Sequence, residues 1–293
     1  MLSVSGPADQ QKLATGLDVL RYAGLDPVVY PSARAVHERF PYLAADDVTR
    51  AGDLRAALTD PGIAGILFAR GGTGAQRALE AMDWGGLAEV RPKVLVGFSD
   101  VTAVLEAVAV RLGWASLFGP MIAVPGDEAH YSFGSLFRML MNPGQATEIR
   151  YPGAELVNSG VARGVTMGGT LCLLASSVGT STSWPARGGI LFLEDVNDYD
   201  YRLDGYLTQL RRSGYLDGVA GIVAGTFTNC GSRDQIQDVL TDRLGGLGVP
   251  MIAWANVGHG GRFQTFPVGI AAELDADAAT LRLLDPPLSE SPS

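Results

Sequence analysis

The 293-residue sequence contains few residues of the types that bind metals or form disulfides. It has two cysteines, Cys172 and Cys230, and three histidines, His37, His130 and His259. Both cysteines lie in apolar surroundings, and their spacing is unlike that of metal ligands. We therefore expect buried, reduced thiols, no bound metal and no cofactor.

Basic clusters and long apolar runs are also missing. The formal net charge is -9, and no block of Lys or Arg occurs, which argues against nucleic acid or an anionic membrane surface as a partner. No apolar run approaches the roughly 20 residues that a membrane helix needs. The opening residues have neither the basic nor the apolar region of a secretory signal. We expect a cytoplasmic protein.

Glycine and apolar residues are abundant, with 38 Gly and a hydrophobic fraction of 47%, as in a compact α/β enzyme. Up to about residue 110, short apolar runs alternate with helical periodicity, which predicts a doubly wound parallel sheet. The pattern becomes loop-like between residues 144 and 161. We expect an N-terminal domain at residues 1–150 and a C-terminal domain at residues 151–293.

Periodicity and turn residues predict individual elements along the chain. Helices are predicted over residues 10–24, 46–58, 75–82, 171–178, 203–210 and 235–244. Strands are predicted over residues 27–30, 65–69, 94–98, 189–195, 219–227 and 250–257. A hairpin is predicted over residues 268–284, with its turn at residues 275–278.

Ser99 marks a sharp change from strand to helix. The apolar run from Val94 to Phe98 ends there, and helical spacing begins at Val101. Such a turn raises a hydroxyl above the end of the sheet and directs the next backbone N–H groups to the same point. Ser is also a preferred helix N-cap, and Val101 stands where the α/β-hydrolase elbow has Gly. The local pattern leaves both roles open.

A glycine-rich turn, residues 70–74, follows the strand predicted at residues 65–69. Ligands of open α/β sheets bind at such strand ends, but the turn lacks the glycine patterns of phosphate-binding loops. It is either a plain turn or a set of backbone donors that faces Ser99.

Ser99, Glu194 and His259 each lie just beyond the end of an apolar strand. A serine hydroxyl needs a base to become a nucleophile, and a histidine base needs an acceptor that orients its ring. Asp195 is the nearest alternative to Glu194, and the other two histidines lie in polar, less regular surroundings. Taken alone, His259 also fits an exposed loop, and the two carboxylates fit a solvated strand end or a helix cap.

Four separated segments identify a family. Residues 69–77 are similar to its Arg-Gly-Gly turn, residues 96–102 to its nucleophile segment, residues 191–210 to its glutamate segment and residues 258–260 to its histidine segment. In this order they resemble the LD-carboxypeptidase family of serine peptidases. That family includes the muramoyltetrapeptide carboxypeptidases and the microcin C self-immunity peptidases. The resemblance covers roughly residues 3 to 285.

The resemblance implies a catalytic triad with members in both halves of an α/β fold. Ser99 would be the nucleophile, His259 the base and then the acid, and Glu194 the residue that orients the imidazole. The implied fold is an N-terminal Rossmann-like (class I glutamine amidotransferase-like) parallel-sheet domain with a smaller β-rich C-terminal domain. The site would lie between the two domains, and the usual assembly is a homodimer.

The resemblance also implies an oxyanion hole. Its donors would be the backbone N–H of Asp100 and that of Gly71 or Gly72.

The substrate contacts are less well defined by the resemblance. Thr73 replaces the aromatic residue that is usual in the Arg-Gly-Gly turn. Arg70, Arg202 and Arg262 are candidates to bind a terminal carboxylate, although each could simply pair with a neighbouring Asp or Glu. Trp184 lies in a loop where it could stack on a nucleobase or pack against the core.

These features predict hydrolysis of an amide bond in a small peptide. The first candidate reaction releases the terminal D-Ala of a murein tetrapeptide from an L-centre diamino acid, through an acyl-enzyme, in peptidoglycan recycling. The same chemistry could instead cleave a peptidyl-nucleotide antibiotic. A catalytically silent binding module on this fold is the alternative of another class, whereas a glutamine-amidotransferase-like enzyme would need Cys in place of Ser99.

Overall fold

A computed structural model describes residues 1–123, 128–260 and 263–288, with side chains for all of these except residues 128–132. The side chain of His130, and Arg262 as a whole, lie outside the described residues. In these ranges the α-helices are α1 (Gln10–Tyr22), α2 (Asp47–Thr59), α3 (Ala75–Glu80), α4 (Thr102–Leu112), α5 (Glu128–Met141), α6 (Leu171–Ser177), α7 (Asp200–Arg212) and α8 (Arg233–Leu244). None of the helices there combines the length and apolar character that crossing a membrane requires.

The strands occupy two separate sheets. They are β1 (Gly65–Leu67), β2 (Val94–Gly97), β3 (Ser116–Phe118), β4 (Glu148–Arg150), β5 (Glu155–Asn158), β6 (Val161–Thr170), β7 (Gly189–Val196), β8 (Gly221–Thr228), β9 (Met251–Ala253), β10 (Phe266–Val268), β11 (Ala271–Asp275) and β12 (Thr280–Leu283). Short 3-10 helices lie at Pro31–Ala33, Leu87–Glu89, Ser99–Val101, Pro143–Gln145 and Gly245–Leu247.

The N-terminal sheet has the order β1-β2-β3-β10. Its first three strands are parallel, as the alternating sequence pattern predicts, and β10 pairs antiparallel with β3. Leu2 forms an isolated parallel bridge with Phe68, so the opening segment contributes a single rung beside β1. Leu95 and Val96 of β2 are fully buried. Strand β2 ends two residues before Ser99.

The C-terminal sheet has the order β4-β12-β11-β6-β7-β8-β9-β5. Strands β6 to β9 are parallel to their neighbours, and antiparallel strands flank them on both sides. The fold is therefore mixed α/β, with a parallel-sheet N-terminal region and a separate β-rich C-terminal part, as expected. The division at residue 150 stays a prediction.

Most predicted elements are confirmed within a few residues, including the terminal hairpin formed by β11 and β12. The strand predicted over residues 27–30 is wrong. The N-terminal amine donates to the carbonyl oxygen of Val28 at 2.8 Å, and the N–H of Tyr30 donates to that of Met1 at 2.8 Å. Pro27 begins this stretch and Pro31 follows it, and neither has an N–H, so a ladder cannot extend.

Two further strands differ from the prediction. The strand predicted over residues 250–257 ends at Ala253, because Trp254 has a φ of +61° and interrupts the regular extended backbone. Residues 161–170 form the longest strand, β6, which the sequence pattern does not predict. Its glycines hide the alternating pattern on which strand prediction depends.

Candidate active site

Ser99 occupies a strained turn at the carboxyl end of β2. Its φ of +62° is uncommon for a residue with a side chain and costs of the order of 1 kcal/mol or more. The chain then forms a 3-10 turn, Ser99–Val101, that leads into α4. A Cβ atom on Gly97 would lie 2.7 Å from Cγ1 of Val101, so residue 97 must be glycine for the turn to pack in this way. The strand-to-helix turn is confirmed.

The N-cap role that the sequence left open for Ser99 is wrong. The residue before the 3-10 turn is Phe98, and neither that turn nor α4 begins with a side-chain cap hydrogen bond. A residue in the left-handed region cannot take the extended backbone of an N-cap. The Ser99 hydroxyl therefore does not cap the helix.

Glu194 and His259 are in direct contact. Oε2 of Glu194 lies 2.7 Å from Nδ1 of the imidazole and accepts a second hydrogen bond from the backbone N–H of His259 at 3.1 Å. With Nδ1 held by an acceptor, the other ring nitrogen is the one left to exchange a proton. Burial lowers the pKa of His259, but the charge and hydrogen bond of Glu194 outweigh this and raise it above its ordinary value.

Glu194 lies inside β7 rather than beyond its end, which corrects the placement expected from the sequence. It is fully buried. The ladder between β7 and β8 is irregular from Leu193 to Asp195, and this irregularity locally alters the strand where the two carboxylates follow each other. Oε1 of Glu194 accepts a 2.6 Å hydrogen bond from the hydroxyl of Thr170. The sequence patterns did not assign a role to Thr170.

The turn at Ser99 and the loop at His259 meet through an aromatic contact. The ring of Phe98 lies 4.8 Å from the imidazole of His259, between ring centroids. Gly258 has a φ of +114°, and a Cβ atom on it would lie 2.5 Å from Oε2 of Glu194. The loop can therefore approach the carboxylate only because this residue is glycine. The three candidate triad residues thus lie in one neighbourhood.

The glycine-rich turn packs directly against Ser99. A Cβ atom on Gly71 would lie 2.9 Å from Cβ and 3.0 Å from Oγ of Ser99. The carbonyl oxygen of Gly71 accepts the N–H of Gly6 at 3.0 Å. Gly72 has a φ of +109°. Of the two alternatives for this turn, the geometry favours a backbone surface that faces Ser99.

The side chain of Asp100 fastens the two turns together. Its Oδ2 accepts the N–H of Ala75 at 2.8 Å, at the start of α3 and directly after the glycine-rich turn. Burial raises the pKa of Asp100, and the Ala75 N–H partly offsets this. Arg50, fully buried, donates to the carbonyl oxygens of Gly74, at 2.6 Å, and Val4. No motif signalled Arg50, because helical periodicity places apolar residues at such positions.

The side chain of Asp195 accepts a hydrogen bond from the first turn of α6. Its Oδ2 accepts the N–H of Cys172 at 2.9 Å in the first turn of α6, and its Oδ1 accepts the N–H of Val196 at 2.8 Å. Burial and the nearby Glu194 charge raise the pKa of Asp195 to about 6. Burial and the Asp195 charge raise the pKa of the Cys172 thiol, which disfavours a thiolate.

The candidate substrate residues have different surroundings. Arg70 is exposed and donates to the carbonyl oxygen of Pro7 at 2.8 Å, and Thr73 is exposed beside it. Arg202 forms an ion pair with Asp198 at 2.8 Å, which is one of the two alternatives raised for it.

Trp184 packs against two clusters of buried apolar side chains, one that contains Phe118 and one that contains Leu207. Its backbone N–H donates to Glu106 at 2.7 Å. Within the described residues, no group of three or more His, Cys, Asp or Glu side chains is arranged to hold a metal ion.

Comparisons with known proteins show the family. Residues 1–119 match the LD-carboxypeptidase N-terminal domain, and residues 163–274 match the LD-carboxypeptidase C-terminal domain. A Streptomyces coelicolor protein provisionally named as a carboxypeptidase is 47% identical over 290 residues, which are 98% of this chain and 93% of that protein.

Two solved structures are similar over nearly the whole chain. The muramoyltetrapeptide carboxypeptidase of Oxalobacter formigenes has a TM-score of 0.85 at 28% identity and covers 98% of both chains. The microcin C7 self immunity protein MccF, in complex with aspartyl sulfamoyl adenosine, has a TM-score of 0.87 at 22% identity, with 98% of this chain and 96% of that chain covered. The matched domains together span most of the sequence, and the chain belongs to the LD-carboxypeptidase family.

Proposed function

We propose that this protein is a serine-type carboxypeptidase that removes terminal D-Ala from murein tetrapeptides. Its scissile bond would join the carbonyl of an L-centre diamino acid to the nitrogen of D-Ala. The observation that carries the proposal is the 2.7 Å contact between Nδ1 of His259 and Glu194 beside the strained turn of Ser99. A nucleophile, a base and an orienting carboxylate are the parts that acyl transfer needs.

In the first half of the reaction, the Ser99 hydroxyl attacks the carbonyl carbon and gives its proton to Nε2 of His259. Glu194 stabilises the imidazolium that forms, because its carboxylate already faces Nδ1. The backbone N–H of Asp100, with that of Gly71 or Gly72, stabilises the oxyanion. One such donor is worth on the order of 3 kcal/mol.

Collapse of the tetrahedral intermediate breaks the amide bond. His259 returns its proton to the departing D-Ala nitrogen, and the diamino acid carbonyl remains as an ester on Ser99. Water then attacks this ester, with His259 again as base, and releases the tripeptide. Both halves use the same three side chains.

The D-Ala carboxylate needs a cationic or N–H partner in the bound substrate. Arg70 is the better of the two described arginine candidates, because it is exposed at the glycine-rich turn and its hydrogen bond is to a neutral carbonyl. Arg202 already pairs with Asp198, so recruiting it would break an ion pair. Thr73 and Trp184 remain proposed contacts for the rest of the peptide.

Release of D-Ala from a murein tetrapeptide tests the proposal. The full-length protein is incubated with the L-Lys or diaminopimelate tetrapeptide, and the free alanine released from the C-terminus is measured. A tetrapeptide that ends in L-Ala is the matched control for the substrate. We expect release only from the D-Ala peptide and no release by Ser99→Ala.

Other outcomes distinguish the remaining functions. Turnover of an aminoacyl sulfamoyl adenosine without release of D-Ala would favour an immunity-type peptidase. Binding of either compound by the folded protein without hydrolysis would favour a silent binding module. We also propose a cytoplasmic homodimer, and light scattering of the purified chain measures the assembly.

A further inference from the structure

Thr170 holds the carboxylate oxygen of Glu194 that His259 does not contact. Thr170 ends β6 and is the register partner of Glu194 in the adjacent strand. Its hydroxyl donates to Oε1 at 2.6 Å, while Oε2 accepts both hydrogen bonds from His259. Thr170 is 2% exposed and Glu194 is 0% exposed, so bulk water cannot replace this hydrogen bond.

Thr102 connects Thr170 to the helix that follows Ser99. Thr102 is the first residue of α4 and is fully buried. Its hydroxyl accepts the backbone N–H of Thr170 at 3.1 Å and donates to the hydroxyl of Thr170 at 3.3 Å. The two hydroxyls form a chain from the start of α4 to Glu194, and hydrogen bonds in such a chain polarise one another.

Gly169 permits this close approach of the two parts of the molecule. A Cβ atom on Gly169 would lie 2.4 Å from Cγ2 of Thr102, and the φ of Gly169 is +152°. A side chain at residue 169 would push α4 away from β6. The backbone is thus shaped to bring the two threonine hydroxyls together.

We propose that Thr170 is a positioning residue for Glu194 and that Thr102 couples it to the Ser99 helix. This inference rests on the roles proposed above for Glu194 and His259. The Thr170 hydroxyl keeps the carboxylate oriented so that Oε2 faces the imidazole. Without the hydroxyl, the carboxylate can rotate, and the imidazolium is stabilised less.

NMR titration of the His259 ring in the full-length protein tests the inference without any substrate. Thr170→Val removes the hydroxyl and keeps the shape, and Thr170→Ser keeps the hydroxyl. Thr166→Val is the matched control, because Thr166 is a buried residue of the same strand whose hydroxyl donates to Ile270 at 3.1 Å, away from Glu194. We expect the His259 ring to titrate at lower pH in Thr170→Val than in the wild type, with its proton dissociation constant raised about threefold to tenfold. Thr170→Ser and Thr166→Val should leave the titration unchanged.

Turnover gives a second readout. We expect Thr170→Val to lower kcat about tenfold, with a smaller effect on KM, and Thr170→Ser to restore it. The acid limb of kcat/KM should move together with the His259 titration. If Thr170→Val titrates like the Thr166→Val control, the inference is overturned.

Thr102→Val extends the test if circular dichroism shows that Thr170→Val does not fold. We expect the His259 titration of Thr102→Val to move in the same direction by a smaller amount, and a titration equal to that of the wild type would overturn the inference. Failure of the proposed function is separate, since it appears as a lack of D-Ala release by the wild type.

Discussion

Gly71 and Ser99 are so close that residue 71 could not carry a side chain without displacing Ser99. The position of a Cβ atom on Gly71 is 2.9 Å from Cβ of Ser99, a distance that real Cβ atoms essentially never show. The backbone of the glycine-rich turn is thereby held against the hydroxyl that we propose as the nucleophile.

Gly71→Ala should therefore remove most of the activity. The added methyl would push the turn away from Ser99 and misplace an oxyanion donor, and we expect kcat to fall by about 10²-fold or more. Steady-state D-Ala release measures this. Gly144→Ala is the control, because its Cβ would meet nothing within 4 Å. Equal losses in both variants would mean that the effect is not specific to the site.

The pH dependence of kcat/KM should reflect His259. The imidazole must be neutral to accept the Ser99 proton, and its pKa lies above the ordinary value of about 6.5. Activity should thus fall as the pH decreases through a midpoint above 6.5. A rate that is flat between about pH 5 and 8 would contradict the assignment of His259 as base.

Glu194→Gln should lower turnover by about 10³-fold to 10⁴-fold, because a neutral amide cannot stabilise the imidazolium and can hold the wrong tautomer. The acid limb of kcat/KM for the remaining activity should lie at lower pH than in the wild type, because the negative charge that raises the His259 pKa is gone. Glu89→Gln, at an exposed site, is the matched control. A rate near that of the wild type would exclude Glu194 as the orienting residue.

Asp195→Asn should act through stability rather than through the reaction. Both carboxylate oxygens accept backbone N–H groups, from Cys172 and Val196, and an amide would direct a donor at one of them. We expect a loss of about 1–3 kcal/mol in the free energy of unfolding. Urea denaturation measures this. The Asp195 charge also contributes to the raised pKa of His259, so the acid limb of the folded variant should lie at slightly lower pH. The rate on the plateau above that limb should match that of the wild type, and a strongly lowered plateau would give Asp195 a part in the chemistry.

The titration of Glu106 should lower the free energy of unfolding of the protein as the pH rises. Burial raises its pKa to about 7, and Trp184, Tyr215 and Ser177 only partly offset this. The unfolded residue titrates near 4.5, so the folded state binds more protons between about pH 4.5 and 7, and stability declines over that window. The free energy of unfolding of Glu106→Gln, relative to the wild type, should thus increase from pH 5 to pH 7. A constant difference would exclude this titration.

The sequence was informative where one strand leads into one helix. The run from Val94 to Phe98 and the spacing after it predicted the turn at Ser99, because local periodicity alone determines such a junction. The φ of Ser99 was not predictable, since it depends on how Gly71 and Val101 pack around the turn. The same limit explains the wrong N-cap role.

The partners of Glu194 were only partly predictable. Its chain position and family segment pointed to His259, and the structure places the two in contact. No sequence pattern assigned a role to Thr170 or Thr102, because their hydrogen bonds join segments 68 residues apart. Strand registry and helix docking, which are tertiary properties, bring them together.

Strand β10 has a consequence for how the chain is made. Residues Phe266–Val268 complete the sheet whose other strands lie between residues 65 and 118. During synthesis, β3 therefore has an unpaired edge until nearly the whole chain has left the ribosome. A nascent chain that stalled before Thr265 would present that edge to other chains, and unpaired edges are where strands of different molecules join.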